Sequence, residues 1–187
     1  DFEWKRDFSK ARNFAASKAN GEWILVLDAD EYVDRDSFHK FKNQLSSNPP
    51  KFDINAVQIV SFVGDDANST ALNYHTRLYK NNGLIEFYRP IHEMLGYKNR
   101  KNADIGTVDL LIYHSGYMTN TVKEKEKTER NLSILLEQEE KTGIDYFYIG
   151  NEYRKLGKTK KAIQYYQAAF KNRESVGANY ITTLLVF

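Results

Sequence analysis

The feature that most constrains this chain is an apolar run, Trp23–Leu27, that ends abruptly in the acidic triplet Asp28-Ala29-Asp30. A continuous apolar run of this length is typical of a strand buried on both faces of an α/β sheet. Two carboxylates one residue apart, directly after such a strand, place hard oxygen ligands at the carboxyl edge of the sheet. The triplet alone is weak evidence, because the same residues can end a strand in solvent and cap the next helix.

Composition narrows the class of protein. The 187 residues are 41% hydrophobic and 14% aromatic, which is enough for a packed core. The 27 basic and 25 acidic residues nearly balance, so nucleic acid is not a favoured partner. Cysteine is absent, which excludes disulfides and cysteine-ligated zinc, and no apolar run approaches the ~20 residues of a transmembrane helix. These features are compatible with a cytoplasmic protein, with peripheral membrane association as the alternative.

Helical patterns flank the acidic triplet. Asp7 or Ser9 can cap a short helix that runs through Ala19. A second helix is predicted to run to about Leu45, before a proline pair ends it. The candidate N-caps of this second helix are Asp34 and Asp36.

The middle of the chain has strand patterns. Ile54–Phe62, His75–Lys80 and Thr107–Tyr113 are predicted strands. Asn82-Gly83 predicts a hairpin that would pair the second of these strands with the segment that follows, because both residues tolerate positive φ. The small and polar residues of Gly64–Asn73 predict a surface loop.

The pattern changes to helix near residue 120. A long charged helix is followed by Asp145–Phe170, in which aromatic and small residues occupy the offsets of a tetratricopeptide repeat. Small residues are expected where the two helices of the repeat approach each other. We therefore divide the chain into an α/β domain, residues 1–118, and a helical region, residues 119–187. One repeat cannot bury its own core, so we expect it to pack on other elements.

The order of motifs resembles that of family 2 glycosyltransferases of the GT-A fold. The family pattern is an Ala-Arg-Asn helix, a turn of glycine, acid and aromatic residue, an apolar strand and an acidic metal motif, and Ala11–Asn13 and Gly21–Glu31 match it. Further matches occur in the expected order at Arg77–Asn81, Ile91–Glu93 and Tyr113–Tyr117. The chain resembles bacterial members with C-terminal tetratricopeptide-like helices, including the S-glycosyltransferases that decorate bacteriocin peptides, and this resemblance implies a bacterial cytoplasmic protein. The resemblance implies a partial GT-A, Rossmann-like α/β sheet followed by an α-helical tetratricopeptide-like hairpin.

The resemblance also implies a donor site. Asp30 would bind Mn²⁺ or Mg²⁺ directly, and Asp28 would contact the nucleotide ribose or reach the ion through water. His114 would complete the metal and diphosphate site. Arg12 and Arg77 would contact the nucleotide or diphosphate of a nucleotide-sugar donor, for which a UDP-sugar is the first expectation. The alternatives are structural: a histidine satisfied at a strand end, and a helix-borne arginine paired with a neighbouring acid.

The resemblance to the family implies inverting transfer, which needs a group that takes the acceptor's proton. Glu93 is the candidate by position, with His92 beside it. Where many family members have an acidic pair, this chain has His-Glu, so an acceptor-side role for His92 and a structural role for both residues stay open. The acceptor is expected to be a peptide, protein or glycan, and the helical tail is a candidate surface for self-association.

The base-binding strands usual in the family have no counterpart before Asp1. We therefore expect this chain on its own to bind a nucleotide-sugar donor weakly or not at all. The alternative to a transferase is a catalytically inactive, tetratricopeptide-bearing interaction module. The joint presence of Arg12, Asp28, Asp30 and His114 favours the transferase, because an inactive scaffold has no physical need of these groups at its strand ends.

Overall fold

A computed structural model of the protein describes residues 1–63, 69–99, 103–115 and 121–175. The chain forms two compact units, Asp1–Thr119 and Asn120–Phe187. Within the described residues no helix is long and apolar enough to cross a membrane.

The first unit contains both helices and strands. Its two helices are α1 (Phe8–Ala16) and α2 (Arg35–Ser47). Its strands are β1 (Trp23–Leu25), β2 (Glu31–Tyr32), β3 (Ile54–Val63), β4 (Ser69–Lys80), β5 (Ile85–Tyr88), β6 (Met94–Tyr97) and β7 (Ile105–His114). The second unit contains α3 (Thr121–Glu137), α4 (Gly143–Lys155), α5 (Thr159–Lys171) and a short 3₁₀ turn at Arg173–Ser175.

Five strands form one mixed sheet in the order β1-β4-β3-β7-β2. Strands β3 and β7 are parallel, and the other neighbours are antiparallel. The acidic triplet lies in the short connection between β1 and β2, which are the outermost strands of this sheet. This mixed sheet with its helices confirms the predicted partial GT-A fold, and the three helices of the second unit confirm the predicted helical tail.

Two apolar clusters hold the first unit together. One cluster joins α2 to the sheet through Phe41, Val57, Ile59, Leu78, Leu110 and Ile112. The other cluster joins the sheet to the separate pair β5-β6 through Ile54, Tyr79, Ile85, Phe87 and Leu95, with α1 at its margin. Burial of such side chains contributes roughly 1.5–3 kcal/mol each, and the two clusters fix the helices and strands that carry the polar side chains described below.

The predicted hairpin at Asn82-Gly83 is wrong. The turn exists, with Gly83 at φ 74° and the Leu84 N–H donating to Asn82 Oδ1 at 2.9 Å. Both edges of β4 are already hydrogen-bonded, to β1 and to β3, so β5 pairs with β6 in a second sheet. The local signal predicted the turn correctly, but the pairing depends on strands far away in the sequence.

Three other expectations need correction. The apolar run before the acidic triplet is an edge strand with only half-buried side chains, because β4 alone pairs with it among the described residues. The predicted loop Gly64–Asn73 is partly strand, since residues 69–73 belong to β4 and pair with β3. Residues 64–68 lie outside the described part of the chain. The first helix also ends at Ala16 instead of Ala19.

A β-bulge interrupts the pairing of β3 with β4. Asn55 pairs with Leu78 and the next residue, Ala56, pairs with Thr76, so Arg77 is the extra residue of β4. A bulge breaks the strict alternation of side chains and can redirect a side chain towards a site. This irregularity lies in the strand that carries one of the two arginines expected at the donor site.

The second unit contains the predicted helical hairpin. Thr142 and Asp145 form a capping box at the start of α4. Gly150 of α4 lies against the ring of Tyr166 of α5, where a Cβ atom would come within 2.5 Å of Tyr166 Cε1. Ala162 and Ala169 are also buried in this unit. Small residues therefore occur where the helices approach, as predicted from the repeat pattern.

Candidate functional site

Arg12 links the first helix to two distant acids. Its Nε donates a hydrogen bond to Glu93 Oε1, and its Nη2 donates to Asp28 Oδ1 at 2.8 Å. The next residue, Asn13, exchanges two hydrogen bonds of 2.8 Å with the backbone of Phe87, which fixes the helix against β5. The Arg12 guanidinium lies 5.6 Å from the centre of the Phe87 ring. The Ala-Arg-Asn motif therefore fixes both the position of α1 against β5 and the position of the Arg12 guanidinium.

Asp28 is held between two arginines. Arg12 binds its Oδ1, and Arg77 Nη2 donates to its Oδ2 at 2.7 Å. Burial opposes ionisation of Asp28, but the charges of Arg77 and then Arg12 outweigh burial and hold its pKa below the ordinary value. Burial likewise opposes the charge of Arg12, and the carboxylates of Glu93 and Asp28 outweigh burial and raise its pKa. Both oxygens of Asp28 already accept hydrogen bonds, which favours a role in orienting the arginines.

Glu31 was not singled out as a site residue from the sequence, yet it anchors the turn formed by residues 28–31, called the acidic turn below. Its side chain is only 3% exposed and accepts a hydrogen bond from Arg77 Nη2 at 2.6 Å. Its other oxygen accepts the Asp28 backbone N–H at 2.9 Å. The Arg77 side chain is itself 12% exposed, so this ion pair is well shielded from solvent. The only sequence signal was its place next to the acidic triplet.

Asp30 and His114 form a second pair, on the solvent side of the turn. His114 Nε2 lies 3.2 Å from Asp30 Oδ2, and the Asp30 side chain is half exposed. The backbone carbonyl of Asp30 accepts hydrogen bonds from the N–H and the hydroxyl of Ser115, at 3.0 and 3.1 Å. The other ring nitrogen of His114 lies 3.5 Å from the hydroxyl of the buried Ser61.

This second pair could supply two ligands to a divalent cation. Neighbouring ligands of an octahedral ion with bonds of about 2.1 Å lie about 3 Å apart, close to the 3.2 Å between Asp30 Oδ2 and His114 Nε2. Ser61 can accept the remaining ring N–H of His114, an arrangement that orients ligating histidines. The described residues contain no group of three or more His, Cys, Asp or Glu able to hold a metal. A substrate diphosphate would have to supply further ligands, as is common for Mg²⁺.

A polar pocket of about 200 Å³ lies beside the arginines. Four residues expected at the site from the sequence line this pocket, namely Arg12, Arg77, His92 and Glu93. Three residues that the sequence interpretation missed complete the lining, namely His75, Thr76 and Phe87. His92 has φ 50°, a left-handed conformation that is uncommon outside glycine. Two residues of the Ile91–Glu93 motif, His92 and Glu93, therefore line the pocket, and His92 does so in an uncommon backbone conformation.

His75 lines this pocket from β4. Part of its side chain is open to solvent, but loss of hydration, followed by the positive charge of Arg77, lowers the pKa of His75. The carboxylates of Glu31 and Asp28 oppose this effect. No motif in the sequence marks this residue, and only the fold brings it to the same pocket as Arg12 and Glu93.

The structure thus brings together all the residues expected at the site, but as two groups. The arginines, Asp28 and Glu93 form one chain of ion pairs, with His92 in the lining of the same pocket, and Asp30 with His114 forms a separate pair. The last two residues of the Tyr113–Tyr117 motif lie outside the described residues.

Comparison with known proteins gives one match to a protein family. The family described as "Glycosyl transferase family 2" matches residues 1–118. The SPbeta prophage-derived glycosyltransferase SunS of Bacillus subtilis is 29% identical over 173 residues, which are 91% of this chain and 40% of that protein. The glycosyltransferase SunS of Bacillus phage SPbeta matches to the same extent.

A third relative has a different description. A TPR repeat-containing protein of Synechococcus elongatus is 36% identical over 93 residues, which cover 50% of this chain and 22% of that protein. The chain therefore spans at most about two fifths of the length of the curated relatives named here.

Proposed function

Because this chain belongs to glycosyltransferase family 2, we propose that it transfers a sugar from a nucleotide-sugar donor to an acceptor, with inversion at the anomeric carbon. The observation that carries the proposal is the pair of arginines joined through Asp28, one turn from the Asp30–His114 pair. In this arrangement two guanidinium groups and one pair of potential metal ligands could all interact with the same diphosphate. A UDP-sugar is the donor that we propose to test first.

The proposed donor site would bind the diphosphate through charged side chains. Arg12 and Arg77 place guanidinium groups at the pocket, where they can donate hydrogen bonds to phosphate oxygens. Asp28 keeps both groups oriented, and Glu31 holds Arg77 from the other side. Asp30 and His114 would hold Mn²⁺ or Mg²⁺, which when bound supplies positive charge for the diphosphate leaving group. These roles explain why the acidic turn carries three carboxylates with different partners.

The proposed acceptor side is the pocket itself. Glu93, whose side chain is 13% exposed, and His92 stand in its wall. Glu93 is the carboxylate proposed from the sequence to take the acceptor's proton, with His92 on the acceptor side. In an inverting transfer, the acceptor oxygen or sulfur forms a bond to the anomeric carbon as the bond to the diphosphate breaks.

The wider assignment has three parts. We propose a peptide, protein or glycan acceptor, self-association through the helical region, and action in the bacterial cytoplasm. The helical hairpin α4–α5 supports the first two parts, because repeat helices commonly bind peptides and other proteins. Light scattering on the purified protein tests self-association, and cell fractionation tests the location.

The central test is an assay of the full-length protein with a panel of UDP-, GDP- and dTDP-sugars, with and without Mn²⁺. Release of the nucleoside diphosphate from one donor, dependent on the ion, is the expected result. Asp30→Ala should abolish the ion-dependent part, whereas Asp36→Ala, on the exposed face of α2, should not. If no donor is cleaved, the protein is better described as an inactive interaction module. If Asp30→Ala leaves a donor-specific activity unchanged, the metal assignment is wrong.

A further inference from the structure

We propose that the acceptor is an extended peptide that adds a strand to the open edge of β4, beside the polar pocket. The open edge is the side of residues 69–76 that faces away from β3. This inference rests on the transfer reaction proposed above and narrows the acceptor to one chemical class.

The first argument is that β4 is paired along only part of its second side. At its carboxyl end β4 has β3 on one side and β1 on the other, but β1 pairs with residues 78–80 alone. One further bond joins the Val26 N–H to the Arg77 carbonyl at 2.9 Å. Residues 69–76 pair with β3, and no described residue pairs with them on the β1 side. Such an edge presents unpaired N–H and C=O groups to another chain.

The register with β3 shows which backbone groups of β4 point to the open side. The Lys80 N–H donates to the Asp53 carbonyl at 2.8 Å, so every second residue of β3, counted from Asp53, directs its backbone groups towards β4. Three residues of β4 lie opposite this set and bond to β3, namely Ala71, Asn73 and His75. The residues that alternate with them each direct one donor and one acceptor to the open side, namely Thr70, Leu72 and Tyr74.

The second argument is the composition of this edge. Proteins usually protect an open strand edge with charged side chains or proline. Residues 69–76 contain no Lys, Arg, Asp, Glu or Pro. Instead, the side chains of Leu72 and Tyr74 are 60% and 63% exposed. A strand with apolar or β-branched residues at alternate positions fits this edge, because its side chains would lie beside Leu72 and Tyr74 on one face of the sheet.

The third argument is that the open edge leads to the pocket. His75 and Thr76, the last two residues of the open edge, line the pocket together with Glu93. Tyr74 lies two residues before Thr76, which is about 7 Å along a strand. A peptide paired with Leu72 and Tyr74 would therefore carry its following residues into the pocket, where Glu93 is the proposed base.

The spacing of these backbone groups favours a peptide over a glycan. On the open side a donor and an acceptor recur about every 7 Å, and a polypeptide strand presents partners with the same period. A glycan carries hydroxyl groups but has no such repeat. A second copy of the chain, paired edge to edge, is the competing occupant, and its binding depends on protein concentration.

The binding test measures amide hydrogen exchange by NMR in the full-length protein. The probe is a peptide of one serine or cysteine followed by alternating threonine and valine. Added peptide should slow exchange at Thr70, Leu72 and Tyr74. N-methylation of alternate peptide residues should abolish this protection in one phase and preserve it in the other, because every second N–H of the peptide faces β4.

Three results of this test would overturn the proposal. These are no protection by the peptide, equal tolerance of both N-methylation phases, and protection without peptide that grows with protein concentration. The last result would identify a second copy of the chain as the occupant of the edge.

The kinetic test uses Leu72→Pro, which removes one N–H from the open side and no bond to β3, a position where edge strands tolerate proline. The KM for the peptide should rise about tenfold or more, because a hydrogen bond is lost and the ring obstructs the added strand. Leu72→Thr keeps the N–H and should change this KM by no more than about threefold. Hydrolysis of the donor without acceptor should be equal in both variants and wild type, which shows that they fold.

The outcomes of the kinetic test are separate from those of the proposed function. An unchanged peptide KM in Leu72→Pro, or transfer to an oligosaccharide and to neither peptide, would overturn the peptide assignment while the transfer reaction stands. A wild-type protein that cleaves no donor would overturn the transfer function. The exchange measurement would then still decide whether β4 binds a peptide.

Discussion

Arg77 Nη2 lies 2.6 Å from Glu31 Oε1, so a residue of β4 and a residue of β2 are joined across a five-stranded sheet in which two strands separate them. The same nitrogen lies 2.7 Å from Asp28 Oδ2. One guanidinium group therefore sets the position of the acidic turn relative to the centre of the sheet. Its loss should affect both stability and the proposed donor site.

Arg77→Met should lower the free energy of unfolding by about 3–5 kcal/mol, because it leaves the shielded carboxylate of Glu31 without its cation. Urea titration of the purified protein measures this change. Arg35→Met, at the exposed start of α2, should change stability by no more than about 0.5 kcal/mol. Adding Glu31→Gln to Arg77→Met should recover part of the loss. Equal stability of Arg77→Met and wild type would mean that the ion pair is not formed in solution.

Substitutions in the Asp30–His114 pair should weaken the dependence on the divalent ion. Asp30→Asn and His114→Gln should each raise the Mn²⁺ concentration for half-maximal activity of the full-length protein. Ser61→Ala should also raise it, by about 10-fold or more, because Ser61 orients His114. Asp36→Asn is the matched control, since it removes an exposed carboxylate of α2. An unchanged Mn²⁺ requirement in both Asp30→Asn and His114→Gln would rule out this pair as the cation site.

His75 should make stability depend on pH in a definite direction. Its pKa is lowered in the folded protein by desolvation and then by Arg77, so the unfolded chain binds more protons as the pH falls through about 6.5. Stability should therefore decrease from pH 7.5 to pH 5. The decrease should be smaller in His75→Gln, and His39→Gln should follow the wild type. Thermal unfolding at the two pH values checks this, and an equal decrease in His75→Gln and wild type would contradict the lowered pKa.

Gly150→Ala should destabilise the helical unit although alanine favours helices. Alanine gains about 1 kcal/mol of helix propensity over glycine, but its Cβ would lie 2.5 and 2.6 Å from Tyr166 Cε1 and Cδ1. Such overpacking costs about 1–3 kcal/mol, so we expect a lower midpoint of urea unfolding followed by circular dichroism. Gln164→Ala, on the exposed face of α5, should have little effect. A more stable Gly150→Ala protein would show that the two helices can separate at no cost.

Local chemistry explains what the sequence predicted well. Asp34 is the N-cap of α2 and accepts the Ser37 N–H at 2.8 Å, as an aspartate before a helical pattern predicts. The end of β7 at His114 and the close approach of Gly150 to the neighbouring helix were likewise predictable. In each case the signal lies within a few residues of the feature.

The errors have a common origin in contacts between distant residues. The Asn82-Gly83 turn forms, but which strands pair across it depends on β1 and β3, which already occupy both edges of β4. His75 had no local signal, because its place in the pocket depends on elements that are far away in the sequence. Glu31 had the signal of its neighbours but no way to show that Arg77, 46 residues away, would bind it.

The position of the acidic turn has a mechanical consequence. In a flat five-stranded sheet, the outermost strands β1 and β2 would be about 19 Å apart. The chain from Leu25 to Glu31 could reach about 20–22 Å only if fully extended, and the hydrogen bond from the Glu31 N–H to the Asp28 carbonyl folds it into a turn. The sheet must therefore be curved, and the acidic turn connects its two outermost strands. An ion bound at Asp30, as proposed above, would act on both outermost strands at once, so cation binding would be coupled to the curvature of the sheet.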